Sequence, residues 1–373
     1  MTEQETFHTL TLTRIAGIGL QTMLQFYRVC GSATTIIEHR NQLKDIFPEV
    51  TQRLENAFKN IDSASRRAEE EMLFMQKHRI ECLCINDTNY PSRMKQCDDA
   101  PLALFYRGTA DLNCKHTLCI VGTRRCSEYG KDICKQLTEE IKRLCPDTLI
   151  ISGLAYGIDI HAHQGALKHG LATVGVLAHG LDRIYPSSHR QTALEMINNG
   201  GLLTEFMSGT NPDKGNFVRR NRIVAGMSDA CVVIESANKG GGLITVGIAQ
   251  DYNREVFAFP GRVNDRTSEG CNELIRKNGA GLVCSGYDII ESLGWSPKAK
   301  RQVVEQSLFA SLPITEEERT ILNLLDNYDG KAVNQLVVEA NIPIQKITST
   351  LFELEMKGLV KAMTGGRYRI QKK

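Results

Sequence analysis

Three arginines, an asparagine and a phenylalanine fall within six residues of this chain, Phe217-Val218-Arg219-Arg220-Asn221-Arg222. A guanidinium forms forked, charge-assisted hydrogen bonds to phosphate, and an aromatic face stacks on a base. Basic groups beside an aromatic therefore suit a polyanion with stackable bases: nucleic acid, or failing that a nucleotide. Lys214 adds a cation, and no acid lies between Asp213 and Asp229. If the segment is helical, Arg219 and Arg222 share a face as i,i+3 neighbours. Phe217 and Asn221 lie one above the other near that face, and Arg220 points elsewhere. The aromatic would stack a base, the arginines would hold phosphates, and the amide would meet a phosphate or a base edge. A solvated helix with Phe217 in the core would use the same residues, so the surroundings must decide.

Between about residues 75 and 292, short apolar runs alternate with helical stretches. The candidate strands are Ile80–Cys84, Leu102–Tyr106, Thr117–Val121, Leu149–Ile151, Ala172–Leu177, Leu202–Thr204, Cys231–Ile234 and Val256–Phe259. Several are apolar throughout, as a strand covered on both faces must be. The helical segments are Glu128–Leu144, Ile158–His169, Ser188–Asn198, Phe217–Ala225, Leu243–Tyr252 and Asn272–Asn278. This alternation predicts an open, doubly wound α/β sheet, whose ligand sits outside the carboxyl ends of the strands. Five strand ends carry glycine: Gly122-Thr123-Arg124-Arg125, Ser152-Gly153 through Gly157-Ile158-Asp159, His179-Gly180, Lys239-Gly240-Gly241-Gly242 with Thr245 beyond, and Pro260-Gly261-Arg262. Glycine admits a close ligand, and exposed N–H groups there bind anions. Five such ends on one edge place the arginine segment at a ligand site.

Standard cofactor motifs are missing. The chain has no G-x-x-x-x-G-K-[ST], no complete G-x-G-x-x-G and no G-x-S-x-G. The carboxylates near the loops, Asp159, Asp182, Glu205 and Glu235, have no nucleophile paired with them and read as structural. The expectation is a protein without catalytic activity or cofactor. The 12 cysteines include one C-x-C, Cys82 and Cys84, but no C-x-x-C. His161 and His163 would face different sides of a helix, so no metal site is expected. A net charge of +2 restricts any nucleic-acid site to a local patch. No apolar run reaches the length of a membrane span and residues 1–10 lack a signal peptide's core, so a cytoplasmic protein with reduced cysteines is expected.

Two flanking regions complete the expected organisation. Residues 1–70 read as a helical domain, with Ile15-Ala16-Gly17-Ile18-Gly19-Leu20 resembling a helix-hairpin-helix or SAM-like turn. Only Arg14 and Arg28 are cationic near it, which favours a packing module over a phosphate site. Residues 71–294 would form the Rossmann-like DNA-binding domain and 295–310 a linker. Residues 311–373 have the order of a winged helix: Glu316–Leu325, Val333–Glu339, Ile344–Lys357, then a hairpin over Met363–Ile370. The third helix carries Lys346, Glu353, Glu355 and Lys357, which sum to zero, and no arginine. Weak duplex contact through the wing, or protein docking, is expected of this domain.

The central motifs resemble the DNA-processing protein A (DprA/Smf) family. The residues that carry the resemblance are Val121-Gly122-Thr123-Arg124 with Ser127-Glu128-Tyr129-Gly130; Ser152 through Asp159 with Ala162-His163; Gly180-Leu181-Asp182 with Ile184-Tyr185-Pro186; Phe217 with Arg220-Asn221-Arg222-Ile223; Gly242-Leu243-Ile244-Thr245; and Pro260-Gly261 with Gly270 through Ile275. The resemblance implies an extended Rossmann-like domain that binds single-stranded DNA, forms homodimers, and loads the RecA recombinase onto incoming strands in natural transformation. Carried over by position, the DNA site includes Arg124, Phe217, Arg220, Asn221 and Arg222. Arg219 and Lys239 join it on charge and placement, and Gly241, Gly242 and Thr245 as the anion-friendly loop. Helical geometry pairs Arg219 with Arg222, whereas the family pattern favours Arg220. Thr123 and Gly240-Gly241-Gly242 depart from the family's more usual serines. Two rival functions remain: a nucleotide phosphoribohydrolase of the lysine-decarboxylase-like fold, although no glutamate closely follows the triple glycine, and a winged-helix transcription regulator.

Overall fold

Nine strands form the central sheet of the computed structural model, which describes residues 2–48, 50–295, 314–325, 330–363 and 366–371. They are β1 (Glu81–Cys84), β2 (Ala103–Gly108), β3 (His116–Val121), β4 (Thr148–Ser152), β5 (Thr173–Val176), β6 (Gly200–Thr204), β7 (Ala230–Val233), β8 (Glu255–Ala258) and β9 (Gly281–Leu282). Their order is β1-β2-β6-β5-β4-β3-β7-β8-β9. Every pair from β6 across to β9 is parallel, while β1–β2 and β2–β6 are antiparallel. The two antiparallel strands differ from the uniform βαβ pattern expected. A parallel pair needs a long crossover, and only the short helix Ser92–Lys95 lies between β1 and β2.

The period of two along β3 supplies both faces of the core. Leu118 and Ile120 pack with Ile141, Ile158 and Ala162 from the helices Glu128–Leu144 and Ile158–His169. Cys119 and Val121 belong to the opposite cluster, with Ile223 and Val246. That cluster also contains Leu24, Phe26, Ile36 and Phe58 from the N-terminal helices. Residues 1–70 therefore share a core with the sheet, and Met1–Lys300 form one compact unit. The helix Asp62–His78 runs straight through the expected boundary at 70. Helical periodicity shows that a face is apolar, not which surface it meets. The expected linker also starts too early: Trp295 packs on His116 at 4.2 Å between ring centroids. Residues 296–310 of that linker lie outside the described residues.

Glu5 anchors the N-terminal helices. Its carboxylate accepts from Tyr27 Oη at 2.8 Å, Ala33 N at 2.7 Å, Thr34 N at 2.9 Å and Thr34 Oγ1 at 2.6 Å. Burial pushes its pKa up, but these donors outweigh burial and leave it below the ordinary value. A depressed folded pKa gives stability that is present above the unfolded value of about 4.5 and is lost as pH falls through the folded one. Glu5→Ala is therefore expected to cost about 1–3 kcal/mol at pH 7 by stranding buried donors. The deficit should shrink towards pH 3, as urea unfolding at the two pH values would measure.

The second unit, Arg301–Lys373, is a winged helix with its own core of Ile321, Leu325, Leu336, Ile347, Leu351 and Leu354. Helices Glu316–Leu325, Val333–Ala340 and Ile344–Met356 precede or interleave with β10 (Lys331–Ala332), β11 (Val360–Met363) and β12 (Arg367–Ile370), ordered β10-β12-β11. Thr315 caps the first helix: its Oγ1 accepts from Glu318 N at 3.2 Å while Glu318 receives Thr315 N–H at 2.9 Å. Thr364 and Gly365 of the expected hairpin, and Lys372 and Lys373 of the tail, lie outside the described residues. Among the described residues no helix is long and apolar enough to cross a membrane.

Candidate nucleic-acid interface

Asp213 starts the helix Lys214–Gly226 by accepting the N–H of Asn216. The cap sets the helix start three residues ahead of the apolar pattern. Phe217, Arg220, Asn221 and Val224 then fall at i, i+3, i+4 and i+7 and line one wall of a cleft of about 690 Å³. The rest of the cleft comes from strand ends. Gly122, Thr123, Arg124 and Arg125 follow β3; Gly153, Ala155 and Asp159 follow β4; Gly240, Gly241, Gly242, Ile244 and Thr245 follow β7. The chain moves from β3 outward to β4 on one side and β7 on the other. The cleft therefore opens at the topological switch point, where doubly wound sheets hold their ligands.

Arg220 is buried to 4% exposure, with Nη1 donating to the carbonyls of Gly153 and Val176. Burial lowers its pKa to about 10, against the opposing charge of Asp159, so it remains cationic at neutral pH. Asp159 accepts from Gly153 N at 3.2 Å and Ala155 N at 3.4 Å. Burial pushes its pKa up, and Arg220 opposes the rise. The half-buried Phe217 ring has two guanidiniums near it, that of Arg124 at 5.2 Å and that of Arg220 at 5.9 Å from the ring centroid. The exposed ring of Tyr185 sits 5.9 Å further on. Two glycines make this packing possible. A Cβ at Gly153 would strike the Arg220 guanidinium, and Gly157 combines a φ of +78° with close contact on the Thr123 carbonyl. Opposite, the helix Gly241–Asp251 begins at Gly240 without a side-chain cap. Gly240, Gly241 and Gly242 at this terminus line the cleft, and the first N–H groups of a helix lack partners within it.

The structure brings together Arg124, Phe217, Arg220, Asn221, Gly241, Gly242 and Thr245 from the sequence reading. It also puts Arg125 and Lys214 on the cleft wall; the sequence reading counted Lys214 in the charge run and Arg125 in the glycine loop after β3 but placed neither among the site residues. Lys239 is exposed in the preceding loop but does not line the cleft. Arg219 and Arg222 do share a face, yet it turns away from the cleft. Arg222, 7% exposed, bonds Glu205 at 2.6 Å and also reaches the Asp99 carbonyl. Arg219 meets the same carboxylate at 2.8 Å and lies over Phe206. Two cations of the run are thus paired through space with Glu205, which follows β6 on another part of the chain. Arg220, set apart by helical geometry, is the arginine that enters the cleft.

Glu235 and His163 are held by internal partners. Glu235 accepts from Ser127 N at 2.8 Å, Ser127 Oγ at 2.6 Å and Thr267 Oγ1 at 3.1 Å, which fixes the loop after β3. His163 is fully buried with Nδ1 2.7 Å from Thr173 Oγ1, and burial drives its pKa down to about 3. Among the described residues no three His, Cys, Asp or Glu side chains are placed to hold a metal.

A glycine-edged cleft at the switch point, with cations beside an aromatic, defines a Rossmann-like protein with a basic pocket at its ligand edge. The comparisons narrow the class. Residues 81–294 match the family model "DNA recombination-mediator protein A" and residues 305–366 that of the DprA winged helix domain. The chain belongs to the DprA/Smf family of DNA-processing proteins, recombination mediators rather than enzymes. It is 33% identical over 325 residues to Protein Smf of Escherichia coli, covering 82% of this chain and 81% of that protein. It is 39% identical over 206 residues to the DNA processing protein DprA of Streptococcus pneumoniae, 55% of this chain and 72% of that one. The solved structure of that protein superposes with a TM-score of 0.66 at 30% identity, covering 78% of this chain and 98% of its own. The protein from Helicobacter pylori, whose structure was described for its single-stranded DNA binding mode, gives a TM-score of 0.52 at 30% identity, covering 58% and 95%.

Proposed function

We propose that the cleft binds single-stranded DNA, and that the chain, as a cytoplasmic homodimer, delivers the strand to the RecA recombinase in natural transformation and recombination. The placement of Phe217 beside both Arg124 and Arg220 carries this reading. A recessed aromatic can stack only a base that is free of its own duplex, while the flanking guanidiniums and the N–H groups of Gly241 and Gly242 receive phosphates. Asn221 and Thr245 add polar contacts on the same walls. Arg219 and Arg222 support the binding helix from behind through Glu205.

Three measurements test the reading. Oligo-dT should bind in preference to duplex, with affinity falling steeply as salt rises because phosphate neutralisation releases counterions. Phe217→Ala should weaken oligo-dT binding by about 1–3 kcal/mol, roughly 5- to 150-fold, with the unfolding midpoint near that of the wild type. The protein should also speed recombinase filament formation on single strands. Equal affinity of Phe217→Ala and wild type, or a preference for duplex, would remove the stacking site.

A further inference from the structure

A second cavity lies outside the cleft, and its chemistry differs. The helix Arg190–Asn198 puts Arg190, Ala193, Leu194 and Ile197 at i, i+3, i+4 and i+7, on one face. That face meets the sheet beside Arg107 and Leu202, register partners on β2 and β6 whose side chains therefore stand on the same side. Leu181, Ile184 and Ser187, from the segment after β5, complete a cavity of about 220 Å³. Its apolar lining is aliphatic, without an aromatic ring, and Leu194 is 47% exposed. Two cations on the walls are uncommitted. Arg107 is half-buried and Arg190 exposed, and among the described residues neither has an ion pair or a hydrogen bond. Arg183, also on the wall, is engaged by Asp182 at 2.8 Å and by Asn211. Asp182 in turn accepts the N–H of Gly209 at 3.0 Å. The cavity thus offers two guanidiniums around an aliphatic hollow and no uncommitted acid.

Size and lining identify the ligand class. Sites for cofactors and other small molecules begin at about 300 Å³, so this hollow suits one large side chain and not a nucleotide. A base would need an aromatic to stack on, which the cleft has and this cavity lacks. An aliphatic hollow takes up an apolar side chain, and a guanidinium holds a carboxylate through forked hydrogen bonds. We infer that this cavity docks an acidic peptide segment of a partner protein, with one apolar side chain in the hollow and neighbouring carboxylates on Arg107 and Arg190. The wall that carries Ile184 continues into Tyr185, whose ring lies 5.9 Å from that of Phe217. A partner held by such a segment stands beside whatever occupies the cleft. The peptide site itself does not rest on the single-strand reading.

Fluorescence anisotropy tests this with a dye-labelled peptide, one leucine flanked on each side by two aspartates, titrated with the full chain in the absence of DNA. Binding should saturate and should weaken as salt rises. Arg107→Glu and Arg190→Glu should each weaken it by about tenfold or more, through loss of a charge-assisted pair, with an unchanged circular dichroism spectrum. Leu194→Glu should do so from the apolar side, and a peptide with serine in place of its leucine should lose about tenfold on the wild-type chain. Oligo-dT should leave the peptide bound, so a failure of the single-strand reading would not remove this site. A peptide that does not saturate the chain overturns the inference. So does equal affinity of the arginine variants and wild type, or of the serine and leucine peptides, which would leave only unspecific charge attraction. Displacement of the peptide by oligo-dT would also overturn it, and would make the cavity part of a nucleic-acid track.

Discussion

Arg222→Ala is expected to lower the stability of the first unit by about 3–5 kcal/mol, because it strands a buried carboxylate. The Glu205 side chain is 3% exposed and that of Arg222 8%. One Glu205 oxygen receives both arginines, and the other is buried with no hydrogen-bond partner. Arg219 alone cannot compensate, since its side chain is 55% exposed and its pairing is shared with solvent. Urea unfolding followed by tryptophan fluorescence would measure the loss, as Trp295 packs within this unit. Replacing both Arg222 and Glu205 with methionine should recover much of it, because the penalty lies in the unpaired charge. Oligo-dT affinity per folded molecule should change little. A variant as stable as wild type but deficient in DNA binding would return Arg222 to the DNA, where the family pattern had placed it.

The helices Glu128–Leu144 and Ile158–His169 were legible to the residue because the apolar spacing and the end signals agree: Ser127 caps the first, and Gly170 closes the second in the left-handed region. Eight strands could be read from their apolar runs. Gly281–Leu282 could not, because two exposed residues with one glycine carry no period. Strand direction at β1 and β2 was hidden too, since alternation is the same in either sense. The ligand edge was visible because glycines recur after successive strands. The facing of the arginines was not. Helical geometry correctly paired Arg219 with Arg222, but which face meets the cleft depends on Glu205 and Asp99, from other parts of the chain. A buried acid just after a strand, opposite a run of cations, was the signal available: Glu205 stood among the carboxylates near the loops and needed only to be set against the charge run.

Gly153→Ala and Arg220→Ala should converge on the same defect by different routes. The alanine methyl at 153 would occupy the space of the Arg220 guanidinium, so the arginine must leave its carbonyl partners, Gly153 and Val176. Arg220→Ala removes the guanidinium outright. On the single-strand reading, each variant loses a charge-assisted phosphate contact of about 1.5–3 kcal/mol, roughly 10- to 150-fold in oligo-dT affinity. Fewer neutralised phosphates should also flatten the salt dependence, by close to one charge in the slope. Stability separates the two. Arg220→Ala leaves Asp159 buried without its nearby cation, so the already raised Asp159 pKa rises further. An acid with a raised folded pKa favours the native state while protonated and loses that contribution as pH climbs from about 3.8 through the folded value. The stability deficit of Arg220→Ala should therefore widen as pH rises from about 3.8 towards neutrality. In Gly153→Ala the cation is still present near Asp159, so its deficit should be nearly independent of pH over that range. Arg220→Lys retains a charge but cannot bridge two carbonyls and lie against Phe217 at once, and should fall between wild type and alanine in affinity. If Gly153→Ala bound oligo-dT as tightly as wild type, the guanidinium position held by Gly153 would have no part in binding, and the cleft's affinity would have to come from Phe217, Arg124 and the other lining residues.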